Sequence, residues 1–302
     1  MNFLSRVLVQ PANLRRILNH PLNRDRKLDA LRRWGAWQVR SRMAGGDVAV
    51  PFANGLTVYG RTGMTGAAST AYVGLNEPDD MALVVHALRP GDLFLDVGAN
   101  LGLYTLLAAG AVGADVIAYE PMPATAALLK NNVHRNGLEN LVSVVTAAVG
   151  REEGAITLTA TEDDVTSRVA TDLEGADQQA KVTTLDASVN GRAPAFLKVD
   201  VEGFEGAVLE GASRTLASPS LQFALVEINS NAERYGYSCE WILETMAGFG
   251  LKPYHYEAWS RTLTPLQGAN VGADNTLFIK DAEAARERVA SGKSVSVLGV
   301  SI

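Results

Sequence analysis

The chain has almost none of the residues that hold small secreted proteins or metal clusters together, because Cys239 is its only cysteine. A single cysteine excludes an intrachain disulfide and a cysteine-rich metal site. No apolar run reaches about 18 residues, and no apolar signal core precedes the first arginines, so the sequence predicts neither a transmembrane helix nor a secretory signal. These observations together favour a cytoplasmic location.

The composition is that of an ordinary soluble enzyme. The 302 residues are 47% hydrophobic and 20% charged, with a formal net charge of −6. This length allows one large domain, or a domain with an appendage. The main body is acidic and no base-flipping signature of the Asn-Pro-Pro-Tyr kind occurs, so we expect no nucleic-acid partner.

Basic residues are concentrated in residues 1–46, which hold ten Lys and Arg against two Asp. Apolar residues recur there at roughly helical spacing, and Pro21 breaks the run. We predict a basic helical N-terminal arm, followed by a main domain over 47–285 and a C-terminal tail over 286–302. The arm is either a helical cap or oligomer contact, or a contact with an anionic membrane surface or acidic substrate.

The remaining pattern alternates strands with helices and therefore predicts a mainly parallel sheet covered by helices. A β-rich entry segment over 47–78 contains three predicted strands: Val48–Pro51, Leu56–Tyr59 and Ala71–Val73. Core strands are predicted near 93–97, 115–119, 142–149, 195–200, 221–228, 251–257 and 275–280. Helices are predicted near 79–87, 103–111, 122–136, 204–216 and 240–248. The last two strands should form an antiparallel hairpin, and the polar stretch Glu152–Ala180 a hairpin with an irregular excursion.

The most informative stretch is 92–105, where an apolar strand runs into Asp96 and then into a loop with Gly98 and Gly102. Glycines let a ligand approach bare backbone before the next helix begins. A second apolar strand ends at Glu120, 24 residues after Asp96, where α/β nucleotide-binding folds hold a ribose. These features predict a site for an adenosyl cofactor.

The same loop favours a cationic cofactor over a dinucleotide. A dinucleotide site needs a Gly-x-Gly-x-x-Gly loop that seats a pyrophosphate on a helix N-terminus. Here the loop reads Gly98-Ala99-Asn100-Leu101-Gly102 after Asp96. This carboxylate would repel a pyrophosphate but suits the sulfonium and ammonium of S-adenosylmethionine. A methyltransferase is favoured; the alternatives are an NAD-type oxidoreductase, a non-catalytic cofactor-binding scaffold, and a glycine turn that binds nothing.

A second charged cluster lies at the end of the strand near 195–200. Lys198, Asp200 and Glu202 alternate with apolar residues and therefore share one face of the strand. Charges at this end of a central strand must be paired or liganded, and open α/β sheets bind their ligands there. Asp200 is the first candidate for the catalytic base or a metal ligand, followed by Glu202. Lys198 is either catalytic or neutralises the carboxylates.

The next predicted strand ends in Glu227, and Asn229 follows two residues later. With Asp200 they offer oxygen ligands suited to Mg²⁺ or Ca²⁺, which could hold and acidify a substrate hydroxyl. Alternatively, Glu227 pairs with Lys198 or caps a turn, and no metal binds. Glu227 is also a candidate catalytic residue.

Six motifs occur in a specific order: Asp96–Thr105, Glu120-Pro121, Asn131-Asn132 with Asn136-Gly137-Leu138, Thr184-Leu185-Asp186, Lys198–Glu205, and Val226-Glu227-Ile228. In these motifs, over about residues 50–280, the chain resembles the FkbM family of S-adenosylmethionine-dependent methyltransferases. The resemblance implies an α/β class I methyltransferase fold, Rossmann-like, with a seven-stranded sheet ending in an antiparallel hairpin. It also implies O-methylation of a hydroxyl on a sugar, a glycan or a natural product.

The resemblance further implies which residues bind the methyl donor: Asp96, Gly98, Ala99, Asn100, Gly102, Tyr104, Glu120 and Pro121. Within this set Glu120 would hold the ribose hydroxyls. Outside the set, Asp164 or a neighbour would approach the adenine. The methyl acceptor would be a small molecule or a glycan. Histidine is the usual general base, and His255 is the histidine that could line the acceptor pocket; packing in the core or at the surface is the alternative.

Overall fold

The computed structural model describes residues 11–61, 63–160, 167–169, 178–273 and 275–302. Its α-helices are α1 (Pro11–Asn19), α2 (Lys27–Met43), α3 (Thr65–Val73), α4 (Pro78–Ala87), α5 (Leu103–Leu106), α6 (Pro123–Arg135), α7 (Leu185–Val189), α8 (Glu205–Glu210), α9 (Ser213–Ala217), α10 (Cys239–Gly248) and α11 (Ala282–Ala290). A π-helical segment, Leu107–Val112, continues α5. Short 3-10 turns occur at Ala53–Gly55 and Ser230–Tyr235.

The strands begin with the entry segment and end near the C-terminus. They are β1 (Val48–Pro51), β2 (Thr57–Gly60), β3 (Leu93–Val97), β4 (Asp115–Tyr119), β5 (Val142–Val145), β6 (Ala148–Val149), β7 (Gly154–Ala160), β8 (Ser167–Val169), β9 (Gln178–Thr183), β10 (Pro194–Val199), β11 (Phe223–Glu227), β12 (Lys252–Glu257), β13 (Thr262–Pro265), β14 (Asn275–Ile279), β15 (Ser296–Val297) and β16 (Val300–Ser301).

An eight-stranded sheet, in the order β13-β12-β14-β11-β10-β3-β4-β5, forms the centre of the molecule. In this sheet β11, β10, β3, β4 and β5 run parallel to one another, whereas β14 lies antiparallel between β11 and β12. Every residue of β3 and β10 is buried, as expected for a parallel sheet covered on both faces. Apolar clusters fill both faces. The predicted α/β, Rossmann-like fold is confirmed.

The far end of the sheet differs from the predicted hairpin. The sequence predicts seven core strands, whereas the described sheet has eight. The additional strand, β13, comes from a polar segment and pairs with the outer side of β12. β12 and β14 are antiparallel neighbours as predicted, but the chain passes through β13 between them. β13 therefore forms the edge, and β14 lies inside the sheet.

One further predicted strand is wrong, and another is divided between two sheets. Residues Ala71–Val73 end helix α3 instead of forming a strand. This helix packs so closely on β2 that a Cβ on Gly60 would come within 2.3 Å of Ala67 Cβ. The predicted strand 142–149 is divided between the central sheet, as β5, and a second sheet in the order β6-β9-β7-β8.

The predicted helix over 204–216 is interrupted and becomes α8 and α9. The interruption contains Gly211, where a Cβ would lie 2.1 Å from the carbonyl oxygen of Gly150. The backbone between α8 and α9 thus packs directly on the backbone that follows β6. Such a tertiary contact has no signature in the helical periodicity.

The N-terminal arm forms the helices α1 and α2, and α2 packs beside α3. Trp37 of α2 belongs to a buried cluster that includes Ala67 of α3 and Leu101 of the loop after β3. At the other end of the chain, Val297 and Ile302 are buried in the main core. No helix among the described residues is long and apolar enough to cross a membrane.

Candidate functional site

The loop after β3 is held in a conformation that glycine and asparagine favour. Gly98, Asn100 and Gly102 have φ values of +81°, +50° and +89°. The backbone N–H groups of Gly98 and Ala99 both donate to the carbonyl of Tyr119, at 3.1 and 2.9 Å. The loop is thereby fixed against the end of β4.

Asp96 lies buried at the end of β3, beneath this loop. Its Oδ2 accepts a hydrogen bond from Thr105 Oγ1 at 2.6 Å. Its Oδ1 is buried and accepts no hydrogen bond from the described residues. Burial raises the pKa of Asp96, although Lys198 acts in the opposite direction. A buried acceptor left over in this way suits an N–H donor on a ligand.

Glu120 connects the end of β4 with the same loop. Its Oε2 accepts from the backbone N–H of Asn100 at 3.1 Å, and its Oε1 accepts from that of Met122 at 3.0 Å. The residue is only 5% exposed, and burial raises its pKa to about 7. Each carboxylate oxygen can accept a further hydrogen bond, so Glu120 can also bind the hydroxyl groups of a ligand.

A cavity of about 840 Å³ opens at the carboxyl ends of β3 and β4. Its lining includes Pro121, predicted to bind the donor, and Glu202. One wall is apolar and comes largely from the second sheet: Val149, Ile156, Leu158, Val169 and Phe204. The same lining includes the carboxylates of Glu120 and Asp200. An apolar wall facing a few polar groups fits a flat base attached to a sugar.

A second cavity, of about 700 Å³, opens on the other side of the loop. Its lining comes from α3, from the residues before α4, and from β3 and β10: Thr65, Gly66, Ser69, Glu77, Asp96, Tyr104, Lys198 and Asp200. Gly98, Asn100 and Asp200 line both cavities. The two cavities therefore meet at the carboxyl edge of the sheet, where α/β folds bind their ligands.

Lys198 is the buried cation of the site. Its side chain is 2% exposed, and its Nζ lies 2.8 Å from Asp200 Oδ2 and 4.7 Å from the centre of the Tyr104 ring. Burial lowers the pKa of Lys198, but the carboxylates of Asp200 and Asp96 outweigh burial and raise it overall. Lys198 is therefore charged, and its single positive charge offsets part of the negative charge of the two carboxylates beside it.

Glu227 lies beside this group on the adjacent strand. Val199 is level with Val226, so Asp200 and Glu227 leave neighbouring strands at the same height. Burial and the charge of Asp200 raise the pKa of Glu227 to about 9. Its Oε2 is buried and has no hydrogen-bond partner in the described part of the chain. Glu227 is therefore protonated near neutral pH unless a ligand or a positive charge approaches it.

Glu205, which sequence reasoning did not assign a role, fixes the loop that carries Glu202. Its Oε1 accepts from the backbone N–H groups of Val201 and Gly203, at 3.0 and 3.1 Å. Glu202 itself has a φ of +57°, which is unusual for a side chain with a Cβ. The buried Glu205 thus positions Glu202 beside the first cavity.

Two acidic residues near the second cavity were also missed. Tyr104 donates from its hydroxyl to Glu77 Oε2 at 2.5 Å, and Asn275 Nδ2 donates to Asp80 Oδ2 at 3.1 Å. Burial and Glu77 raise the pKa of Asp80 to about 7. Acidic residues at the start of a helix usually stabilise its N-terminus. Glu77 and Asp80, at the start of α4, therefore gave no sequence signal for a ligand site.

The described residues do not form the predicted Mg²⁺ or Ca²⁺ site. Asn229 uses its side-chain oxygen to accept from the backbone N–H of Asn231 at 2.8 Å, which caps the following turn. Asp200 is paired with Lys198, and Glu227 has a raised pKa. Within the described ranges no group of three His, Cys, Asp or Glu side chains is placed to hold a metal ion.

Neither the histidines nor Asp164 completes the site in the described part of the chain. His255 lies on β12 and is not among the residues that line the two cavities. His86 is buried, and its Nδ1 lies 2.6 Å from the Tyr256 hydroxyl. Burial lowers the pKa of His86 to about 4, so it is neutral. Asp164 lies outside the described residues.

A Rossmann-like sheet with paired cavities at the carboxyl ends of its central strands is the architecture of a class I methyltransferase. The family profile described as "Methyltransferase FkbM domain" matches residues 96–253, which is more than half of the chain. The chain belongs to this family, as its motifs predicted. Membership of this family supports S-adenosylmethionine as the cofactor and argues against the dinucleotide alternative. No curated protein matches the chain.

Three solved structures match much of the chain at low sequence identity. A TehB-like enzyme from Corynebacterium glutamicum is 14% identical, with 70% of this chain and 93% of that chain covered and a TM-score of 0.41. An O-methyltransferase from Thermotoga maritima is 15% identical, with 67% and 64% covered and a TM-score of 0.36. TrmK from M. capricolum, solved with S-adenosyl-homocysteine, is 8% identical, with 67% and 68% covered and a TM-score of 0.38.

Proposed function

We propose that the protein is an S-adenosylmethionine-dependent O-methyltransferase acting on a hydroxyl group of a sugar, a glycan or a natural product. The observation that carries the proposal is the position of Asp200, which lines both cavities and is paired with the buried Lys198. One cavity suits a nucleoside, and the other offers carboxylates close to where the two cavities meet. A methyl donor and an acceptor need such adjoining places.

The residues of the first cavity and the loop fit the methyl donor. The apolar wall that includes Ile156 and Leu158 would pack against the adenine, and Glu120 would accept from the ribose hydroxyls. Asp96 lines the second cavity, and its Oδ1, which has no hydrogen-bond partner among the described residues, would accept from the ammonium of the methionine part where the two cavities meet. A site with so many carboxylates favours a cationic donor over the diphosphate of NAD.

Asp200 is the proposed base. When bound, S-adenosylmethionine supplies a methyl carbon that an acceptor oxygen can displace from sulfur. The carboxylate of Asp200 takes the hydroxyl proton, and Lys198 holds that carboxylate in place at 2.8 Å. Glu227, whose protonated form is favoured in the free protein, can share the proton through its proximity to Asp200. Glu202 lines the first cavity together with Asp200 and would therefore lie beside the bound donor.

The acceptor cavity is acidic on several sides. Glu77, Asp96 and Asp200 line it, with Lys198 as the basic residue among its lining. Such a lining favours a neutral, hydroxyl-rich acceptor and repels a phosphate backbone. The proposal therefore contains no nucleic-acid partner, and the cytoplasmic location remains a prediction from the sequence.

Isothermal titration with S-adenosylmethionine and with NAD tests the donor. We expect saturable binding of the first and none of the second. Incubation with isotopically labelled methyl donor and a pool of glycans and polyols, followed by mass spectrometry, tests the acceptor. A labelled methyl ether is the expected product, with Asp115→Asn, at the opposite edge of the sheet, as a control of unchanged activity.

Parallel incubations with and without a chelator test metal dependence. A labelled amine or carbon–methyl product would contradict O-methylation, while donor binding with no transfer to any acceptor class would favour a cofactor-binding scaffold. Binding of NAD in place of the methyl donor would overturn the proposal as a whole.

A further inference from the structure

Helix α2 carries apolar side chains on two opposite faces. One face is buried against the body of the protein through Ala30 and Trp37. The other face exposes large apolar side chains: Leu28 (72% exposed), Leu31 (36%), Val39 (58%) and Met43 (80%). With about 100° per residue, these four side chains project into an arc of roughly 120°. Leu28 and Leu31 lie toward the start of the helix and Val39 and Met43 toward its end, on the one face that is here called the α2 stripe.

The α2 stripe is not what a surface helix needs. A helix that packs on one side of a soluble protein normally carries polar residues on its outward side. The described residues expose six large apolar side chains, and four of these lie on this one helix. An exposed patch of this kind marks a surface that meets an apolar partner.

Basic residues lie both within and beside the α2 stripe. At about 100° per residue, Arg32 and Arg42 fall inside its arc, and Lys27 and Arg40 lie about 40–60° beyond its two edges. All four side chains are exposed. Residues 11–46 contain nine Lys and Arg against two Asp, whereas the chain as a whole has a net charge of −6. Long basic side chains can place their charges at the level of lipid headgroups while the apolar residues between them insert.

A cavity of about 590 Å³ runs along the same helix, next to the α2 stripe. Its walls are mainly apolar, from Trp37, Val50, Ala71 and Leu298, and Arg33 and Arg40 lie at its border. The Arg33 Nε is buried and makes no hydrogen bond to the described residues. An apolar groove with guanidinium groups at its border suits a lipid phosphate and the start of an acyl chain.

We propose that helix α2 docks the protein onto an anionic lipid surface, with Leu28, Val39 and Met43 inserted among the headgroups. The charge pattern favours this partner, because a lipid surface supplies both an apolar layer and negative charge. The inference is independent of the proposed methyl transfer. It would bring the acceptor cavity close to the membrane, because α3 packs against α2 and lines that cavity.

Flotation with phosphatidylcholine vesicles, with and without phosphatidylglycerol, tests the proposal on the full chain. We expect binding to the anionic vesicles and little binding to the neutral ones. The triple variant Leu28→Gln, Val39→Gln, Met43→Gln should lose binding by about tenfold or more, because it removes the inserting side chains. The control Val271→Gln, which changes a fully exposed apolar residue elsewhere, should bind like the wild type.

The variant Arg32→Glu, Arg40→Glu should lose the preference for phosphatidylglycerol. Unchanged circular dichroism and S-adenosylmethionine affinity would show that the variants are folded. The proposal is overturned if the wild type does not float with anionic vesicles, or if the triple variant floats equally well. It is also overturned if sedimentation without lipid finds a wild-type dimer and a monomeric triple variant, since the α2 stripe would then bind a second copy.

Discussion

Gly98 lies directly against the backbone of Asp200. A Cβ on Gly98 would come 1.8 Å from the carbonyl oxygen of Asp200, and the φ of Gly98 is +81°. The donor-binding loop and the strand end that carries the proposed base are thus in backbone contact. Any side chain at position 98 would push the two apart.

Replacement of Gly98 by alanine should damage both stability and donor binding. We expect the free energy of unfolding to fall by about 2–4 kcal/mol, because a strained φ adds to a backbone overlap. Urea unfolding measures this change, and calorimetry measures the donor affinity. Gly91→Ala is the matched control, since Gly91 has a φ of +82° with nothing within 4 Å of its Cβ position. It should lose only about 1 kcal/mol; an equal loss in both variants would show that the contact with Asp200 is unimportant.

Replacement of Glu120 by alanine should weaken the binding of S-adenosylmethionine by about 10- to 100-fold, because charge-assisted hydrogen bonds to the ribose are lost. Titration calorimetry measures the affinity. The exposed Glu139→Ala is the control and should bind normally. Unchanged affinity in Glu120→Ala would refute the ribose assignment.

Replacement of Asp200 by alanine should leave donor binding largely intact while reducing turnover by about 100- to 10,000-fold, the usual range for loss of a positioned base. Asp200→Asn, which keeps the shape, should be impaired to a similar degree. Turnover is followed with labelled donor. Full activity in both variants would remove Asp200 from the mechanism and leave Glu227 and Glu202 as candidates.

The contribution of Glu120 to the stability of the ligand-free protein should fall as the pH rises from about 4.5 to about 7. Burial raises the folded-state pKa of Glu120 from 4.5 to about 7, so the folded protein keeps a proton that the unfolded chain releases in this range. The stabilisation is complete below pH 4.5 and is lost through pH 7. For Glu120 the loss amounts to about 3 kcal/mol. Urea unfolding at several pH values measures it.

Glu120→Gln should remove the contribution of Glu120 to this slope. A remainder should persist, because burial also raises the pKa of Asp80 to about 7. Asp80→Asn combined with Glu120→Gln should flatten the profile further. A double variant with the wild-type slope would show that neither carboxyl group is protonated in the folded protein.

Features encoded in adjacent residues were predictable from the sequence. β3, its glycine loop and Glu120 follow from a strand ending in a carboxylate and from the distance to the next strand. The predicted alternation holds for Lys198 and Asp200, which form an ion pair at 2.8 Å, but β10 ends at Val199 and Glu202 lies in the turn that follows. The catalytic and binding roles of these residues remain predictions.

Features that depend on distant contacts were not predictable. Glu77 lines the second cavity, where it accepts from the Tyr104 hydroxyl, and Asp80 lies near it because it accepts from Asn275 of β14. The described residues show no metal site, and Asn229, one of its predicted ligands, caps its own turn through a local hydrogen bond that competes with ligation. β13 exists because it can pair with an open edge of β12, although its own sequence is polar.

Trp37 of the arm and Leu101 of the donor-binding loop are buried in the same cluster. The family match begins at Asp96, so the arm lies outside the shared domain. The arm nevertheless packs in the same cluster as the loop after β3. We expect substitutions in this cluster to change the affinity for the proposed methyl donor while every motif residue stays intact. Deleting the arm would remove Trp37 from the cluster around Leu101, and we expect a chain trimmed to the family-matched domain to bind the proposed methyl donor less tightly than the whole protein.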